Sequence, residues 1–279
     1  MSIIIPANSA VAGGYAVDNS LRFNDGSSDY LSRATSDPAS SNTTATYSAW
    51  IKRGTLGTDQ CIWSGSYYSS DNIFQFKFLD TDKLSIYSRR GASTKANLTT
   101  VQVFRDVSAW YHIIISIDTT QGTEANRIKC YVNGELASFT GSYPSQNENL
   151  YLDSGAGANY YIGRRGDSAE YFDGYIAEFV YVDGTAQANT DLGEFDEDSG
   201  IWKPIDVSGL TFGTKGLYLD FEDSSALGAD VSGESNNFTV NNLTAIDQST
   251  DTCTTNFATA NTLTLSTDAT LTEGNLAIT

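Results

Sequence analysis

The sequence predicts an all-β fold: a two-sheet antiparallel jelly-roll sandwich with extended N- and C-terminal arms. Apolar and polar residues alternate in many short runs, which is the period of a strand. No stretch joins helical periodicity to the length and capping signals that a core helix needs. Aromatics reach 12% while prolines number only four. With 279 residues, 40% of them hydrophobic, the chain can bury one large core. One sandwich is expected over residues 15–245, preceded by an arm at 1–14 and followed by a Thr/Asn-rich tail, or the start of a further module, at 246–279.

The strongest strand follows Ala109. Tyr111, Ile113, Ile115 and Ile117 alternate with Trp110, His112, Ile114 and Ser116, and both sets are largely apolar, so this strand is expected mid-sheet with cover on both faces. Ile128, Cys130 and Val132 follow and close on Asn133-Gly134, a dipeptide that tolerates the positive φ of a tight hairpin. Earlier in the chain, Leu21 and Phe23 mark a strand, Asp25-Gly26 a turn, and Tyr30-Leu31 the return. Tyr47, Ala49 and Ile51 form one face of the next strand, with Trp50 on the other. After CIWS, Phe74, Phe76 and Phe78 point one way while Gln75 and Lys77 point to solvent, and KLSIYS is the hairpin partner. LTTVQVF, NYYIGR and GYIAEFVYVDG supply further strands. Thr185 to Gly200 is polar and acidic, with a short helical turn near Asp191 to Phe195, before strand character returns at LYLDF and NNFTV.

A formal net charge of −18 argues against a nucleic-acid surface, which needs a basic patch. It also disfavours anionic membranes, and no run is long enough to insert into a bilayer. The opening residues lack the basic flank of a secretory signal, which points to synthesis in a cytoplasm. Cys61, Cys130 and Cys253 show no metal-ligand spacing and imply no disulfide framework.

An ordered set of short motifs resembles a known family. Phe23-Asn24-Asp25-Gly26, Asp29-Tyr30-Leu31, Tyr47-Ser48-Ala49-Trp50-Ile51-Lys52, Trp110-Tyr111-His112, Lys129-Cys130-Tyr131-Val132-Asn133-Gly134, Tyr161-Ile162-Gly163 and Phe172-Asp173-Gly174-Tyr175-Ile176-Ala177-Glu178 occur in the order of laminin-G-like domains. Those belong to the concanavalin A-like lectin/glucanase superfamily. Residues 217–240 resemble the segment that usually opens such a domain, and here they are expected to close the same sandwich from its C-terminal side. The whole pattern, with VFRDVSAWYHI and DEDSGIWKP, is similar to large virion-associated, fibre-like or surface proteins of marine bacteriophages. The resemblance implies a phage particle, and the expectation that follows is a virion structural protein (fibre, spike or capsid decoration) made in the host cytoplasm and contacting copies of itself and other virion proteins. Its sandwich either binds host surface glycans or serves assembly without a ligand, with a glycan depolymerase as the second alternative.

Hydrolysis of glycans needs two carboxylates roughly 5 to 5.5 Å apart in a retaining enzyme. Glu194, Asp196 and Asp198 alternate, but their setting between glycines reads as a solvated turn, and Glu178 stands alone on its strand. His112 is the sole histidine, read as a hydrogen-bonded core residue, so sites built on several histidines are excluded. No enzyme is expected. Laminin-G-like domains often hold calcium, and Asp230, Asn236, Asn237 and Asp25 are the candidate ligands here. For a glycan, aromatic and hydrogen-bonding side chains on predicted loops are the candidates: Tyr67, Tyr68, Arg89, Arg90, Arg164, Arg165, Asp167 and Tyr171. The paired arginines have an alternative use, bridging to acidic neighbours.

Overall fold

The structure is a computed structural model and describes residues 14–35, 41–67, 72–152, 159–256, 271–272 and 277–278. The arm expected at 1–14, apart from Gly14, and most of the tail lie outside the described residues. In chain order the strands of the body are β1 (Ser20–Phe23), β2 (Tyr30–Ala34), β3 (Thr44–Arg53), β4 (Gln60–Tyr67), β5 (Asn72–Phe78), β6 (Leu84–Arg90), β7 (Ser93–Thr100), β8 (Tyr111–Asp118), β9 (Ile128–Val132), β10 (Glu135–Leu136), β11 (Phe139–Ser142), β12 (Asn159–Ile162), β13 (Gly174–Asp183), β14 (Gly193–Phe195), β15 (Trp202–Pro204), β16 (Leu217–Leu219), β17 (Thr239–Asn241) and β18 (Gln248–Ser249). Sheet I has the order β10-β9-β8-β3-β13-β1-β18, with β16 added to β13. Sheet II has the order β11-β7-β6-β5-β4-β12-β2-β17. All their pairings are antiparallel, as a jelly-roll sandwich requires.

Between the sheets lies an aromatic core. The Tyr47 ring stacks on Tyr181 at 4.7 Å and meets Trp63, Phe74 and Phe76, while Ile113, Ile115 and Ile117 of β8 fill the neighbouring positions. The opposite face of sheet I is equally apolar and is covered as well. Trp50, Ile114, Val180 and Val182 pack against Val17 and against Leu192, Trp202, Val207 and Phe212 of the chain after β13. The segment at 217–240 closes the sandwich: β16 joins sheet I beside β13, and β17 joins sheet II beside β2.

Three local expectations differ from the structure. LTTVQVF does not continue as a strand past Thr100. Val101 and Val103 are exposed, and Phe104 turns under the end of the sandwich between Phe78 and Tyr111. Its carbonyl accepts from Arg53 Nη1 at 2.7 Å, so a buried guanidinium fixes the loop. The helical turn near Asp191 to Phe195 is a 3-10 turn at Asn189–Asp191 followed by β14. The ordered body also runs beyond 245: β18 pairs with β1, and Ser249, Asp251, Thr252 and Thr254 are buried. Their anchors are polar. Lys52 Nζ donates to Asp251 at 2.8 Å, and Thr252 and Thr254 hydroxyls donate to the Val17 carbonyl.

A β-bulge in β13 sets the register of the central pair. Glu178 and Phe179 together oppose Ala49, and Glu178 takes a left-handed φ of 51°. The extra residue places Phe179 and Tyr181 in the core and keeps the Glu178 carboxyl on the outer face of sheet I. There Oε2 accepts from Tyr218 Oη at 2.5 Å and from Tyr15 Oη at 3.3 Å. Burial raises the carboxyl from its ordinary 4.5 to about 7. The folded state therefore holds the proton more tightly than the unfolded chain. The stability this contributes is complete below about pH 4.5 and is lost as pH rises through about 7. Glu178→Gln is expected to be more stable than the parent at alkaline pH by on the order of 3 kcal/mol, with the difference vanishing near pH 5, in urea titrations across that range.

Candidate functional site

The predicted glycan residues fall into two groups at opposite ends of sheet II. Tyr67 ends β4 opposite Asn72, and Arg89 and Arg90 end β6 beside it, whereas Arg164, Arg165, Asp167 and Tyr171 lie in the loop from β12 to β13, at the other end of β4. At about 3.3 Å per residue along an eight-residue strand, the groups stand roughly 20 to 25 Å apart. Tyr68 lies outside the described residues. They do not form one site.

In the 163–173 loop the arginines are engaged by the chain itself. Arg165 binds both carboxylate oxygens of Asp167, at 2.7 and 2.6 Å, and pairs with Glu170, which in turn pairs with Lys77 and through it with Asp59. Both charges of such a fork are satisfied internally. Arg164 is buried, donates to Ser168 Oγ, and lays its guanidinium against two rings, Cζ lying 4.0 Å from the Tyr30 centroid and 4.3 Å from that of Tyr161. Tyr171 completes the group, its ring 6.2 Å from Tyr30. Arg165 thus takes the alternative of bridging to acidic neighbours, Arg164 backs the rings, and the half-buried rings of Tyr30, Tyr161 and Tyr171 form the surface.

Tyr161 places this surface within the sheet. It faces Ser32 on β2 and Ser64 on β4, and Ser64 faces Gln75 on β5, which faces Tyr87 on β6. Hydroxyl and amide groups thus cross the outer face of sheet II between two tyrosines. Ser64 Oγ and Gln75 Oε1 are buried without a protein hydrogen bond. No described strand of sheet II contains Asp or Glu; the acids that reach this face, Asp59 and Glu170, come from loops, and both pair with Lys77.

The calcium candidates do not fit that ion. Asp230 accepts three backbone N–H groups, from Tyr218, Ser232 and Asn236, at 2.9, 3.0 and 2.7 Å. Asn237 Oδ1 accepts from Asp230 N, and Asn236 Oδ1 faces the Arg33 guanidinium, which would repel a cation. Asp25 sits in a separate exposed 3-10 turn. These oxygens shape turns.

On the outer face of sheet I, His112 ties its own strand β8 to β3 and β15. Its ring stacks on Trp50 at 4.4 Å, Nδ1 accepts from Trp202 Nε1 at 2.8 Å, and Nε2 meets Ser48 Oγ at 2.7 Å. An indole N–H can only donate, so Nδ1 is the acceptor and Nε2 carries the proton toward Ser48. A serine and histidine so arranged cannot act as nucleophile and base, because the base position already holds its proton. The enclosed space they share with Glu178 measures about 10 Å³, too small for a substrate. Gly134 and Gly193 permit the fit, since a Cβ at either would come within 2.3 and 2.5 Å of the Trp202 ring. Glu194 and Asp196, the alternating acids, pair with Lys203 at the tip of the β14–β15 hairpin. Backbone N–H and hydroxyl donation by Ser199, together with Lys203, hold Asp196 down at about 2.

The fold defines a class, the two-sheet antiparallel lectin-like sandwich. The family model for the concanavalin A-like lectin/glucanases superfamily, of the laminin G type, matches residues 25–190, and the chain belongs to that superfamily. No curated protein matches it significantly. Among solved structures it is similar to a Bacteroides ovatus ATCC 8483 protein described as an inferred carbohydrate-binding protein, with 16% identity and a TM-score of 0.55; the match covers 81% of this chain and 59% of that one. It is also similar to a heptameric pentraxin of Limulus polyphemus, at 16% identity, with a TM-score of 0.45 over 62% of this chain and 80% of that one. Domains LG4-5 of the mouse laminin α1 chain match at 12% identity, with a TM-score of 0.42 over 78% and 50% of the two chains.

Burial without a charged partner lowers His112 to about 3. Its ring resonances, unambiguous in a protein with one histidine, are expected to stay in the neutral form down to about pH 4 by NMR. Ser48→Ala is expected to cost about 1 to 3 kcal/mol in urea unfolding by orphaning the Nε2 proton.

Proposed function

We propose that this chain is a non-enzymatic display module of a bacteriophage particle, a fibre, spike or capsid decoration, that binds host-surface glycans through the tyrosine surface on sheet II. The observation that carries the reading is the gathering of the half-buried Tyr30, Tyr161 and Tyr171 around Arg164, with the half-buried Ser32 opposite Tyr161. Sugars present an apolar C–H face that packs on aromatic rings and hydroxyls that bond polar groups, and this surface supplies the rings, their phenol hydroxyls and Ser32. The acids that reach this face, Asp59 and Glu170, are held in ion pairs with Lys77 and Arg165, which favours binding over hydrolysis. Family membership supports the lectin-like part of the reading, and the likeness of the whole sequence pattern, with VFRDVSAWYHI and DEDSGIWKP, to virion-associated proteins supports the phage particle. Assembly with copies of itself and with other virion proteins would turn weak single contacts into useful avidity.

A glycan array probed with the assembled oligomer, with and without calcium, tests the proposal. Binding to at least one glycan class is expected, unchanged by chelation and lost in Tyr161→Ala with the thermal transition retained. Silence on every spot in both conditions would leave a purely structural module.

A further inference from the structure

The outer face of sheet I, on the far side of the sandwich from the tyrosine surface, opens into a cleft of about 350 Å³. Small-molecule pockets span roughly 300 to 1,000 Å³. Three of the four tryptophans, Trp50, Trp110 and Trp202, line it together with Asn133, Asn256 and Ile201. Each indole is held in place before any ligand arrives. Trp50 is stacked on His112, Trp202 donates to His112 Nδ1, and Trp110 sits edge-on to Tyr175 at 6.4 Å with its Nε1 3.4 Å from Asp251. Rigid walls reduce the ordering cost of binding.

The polar groups are amides rather than charges. No lining residue is charged, and Lys52, close behind Asn256, is engaged by Asp251 at 2.8 Å and by Asn256 Oδ1 at 2.9 Å. Asn133 uses Oδ1 to accept from His112 N, which directs the rest of its amide from the tight turn. Asn256 Nδ2 also donates to the Ser108 carbonyl at 2.9 Å, which leaves that amide one N–H and one lone pair for a ligand. Fixed indole edges, the Asn133 amide, the remaining capacity of Asn256 and a neutral lining match an uncharged polyhydroxy ring. The geometry points to a second carbohydrate site in this cleft, for a single neutral sugar unit, which would make each copy of the chain able to join two glycan strands on opposite faces. This site stands independently of the sheet II surface.

Intrinsic tryptophan emission reads the cleft directly, because only Trp63 of the four lies elsewhere, in the core. The protein is titrated separately with methyl glucoside, methyl galactoside, methyl mannoside, N-acetylglucosamine and glucuronate. A saturable emission change is expected with at least one neutral sugar and weaker binding of glucuronate. Ile201, 57% exposed on the rim, can be changed without touching the core, so Ile201→Arg is expected to weaken the response at least about tenfold. Asn256→Ala should weaken it too, whereas Tyr161→Ala should leave it intact even if array binding is lost. No emission change with any neutral sugar, a preference for glucuronate, or a response that survives Ile201→Arg would overturn the site.

Discussion

Sheet I is apolar on both faces, and the rest of the molecule answers that constraint. Ile113, Ile115 and Ile117 of β8 need sheet II on one side, while Trp50, Ile114 and Val180 need a second cover on the other. Burial of apolar area is non-directional, so it demands a cover without specifying which chain supplies it. The segments that do so, around Val17, from Leu192 to Phe212, and at 251–254, come from three distant parts of the sequence. Directional bonds then decide where they sit: Lys52 to Asp251, Thr252 to the Val17 carbonyl, and Tyr218 to Glu178.

His112 shows how a buried polar residue can be positive for structure when every atom is answered. Both ring nitrogens and one ring face are occupied, so the desolvation that keeps it neutral is offset by two hydrogen bonds. The same contacts fix two indoles whose edges reach the surface. Core satisfaction and cleft geometry are thus one arrangement, and residues chosen for stability also fix the shape of the opening.

Much of the fold was legible because period-two alternation is a direct projection of the sheet faces: Phe74, Phe76 and Phe78 point inward and Gln75 and Lys77 to the other face. That face is not open to solvent as expected, since Gln75 is buried and Lys77 is covered by Asp59 and Glu170. Alternation fails where an extra residue enters. Strict counting along GYIAEFVYVDG puts Ile176, Glu178 and Val180 on one face, and only the bulge separates them. The site was less legible. Adjacent tyrosines on a strand must face opposite ways, so Tyr160-Tyr161 in NYYIGR already announced one core ring and one outer ring. Arg165 takes the role the sequence offered as an alternative, bridging to Asp167 and Glu170, whereas the contact of Arg164 with Tyr30 and Tyr161 depends on a strand pairing, β2 with β12, that joins residues far apart in sequence. The cleft left no local signal at all, because its walls come from positions 50, 110, 133, 201–202 and 256.

Charge adds a last step. Against a net −18, Arg22, Lys52, Arg53, Lys77, Arg165 and Lys203 all form ion pairs within the chain. The excess of acids is therefore not relieved at the surface, and the field around the molecule repels anionic polymers over a Debye length of roughly 8 Å at physiological salt. A glycan partner that meets this surface has to be recognised by ring stacking and neutral hydrogen bonds. Those are the groups the tyrosine surface and the tryptophan cleft present, and both depend on arginine, lysine and histidine side chains being engaged inside the protein.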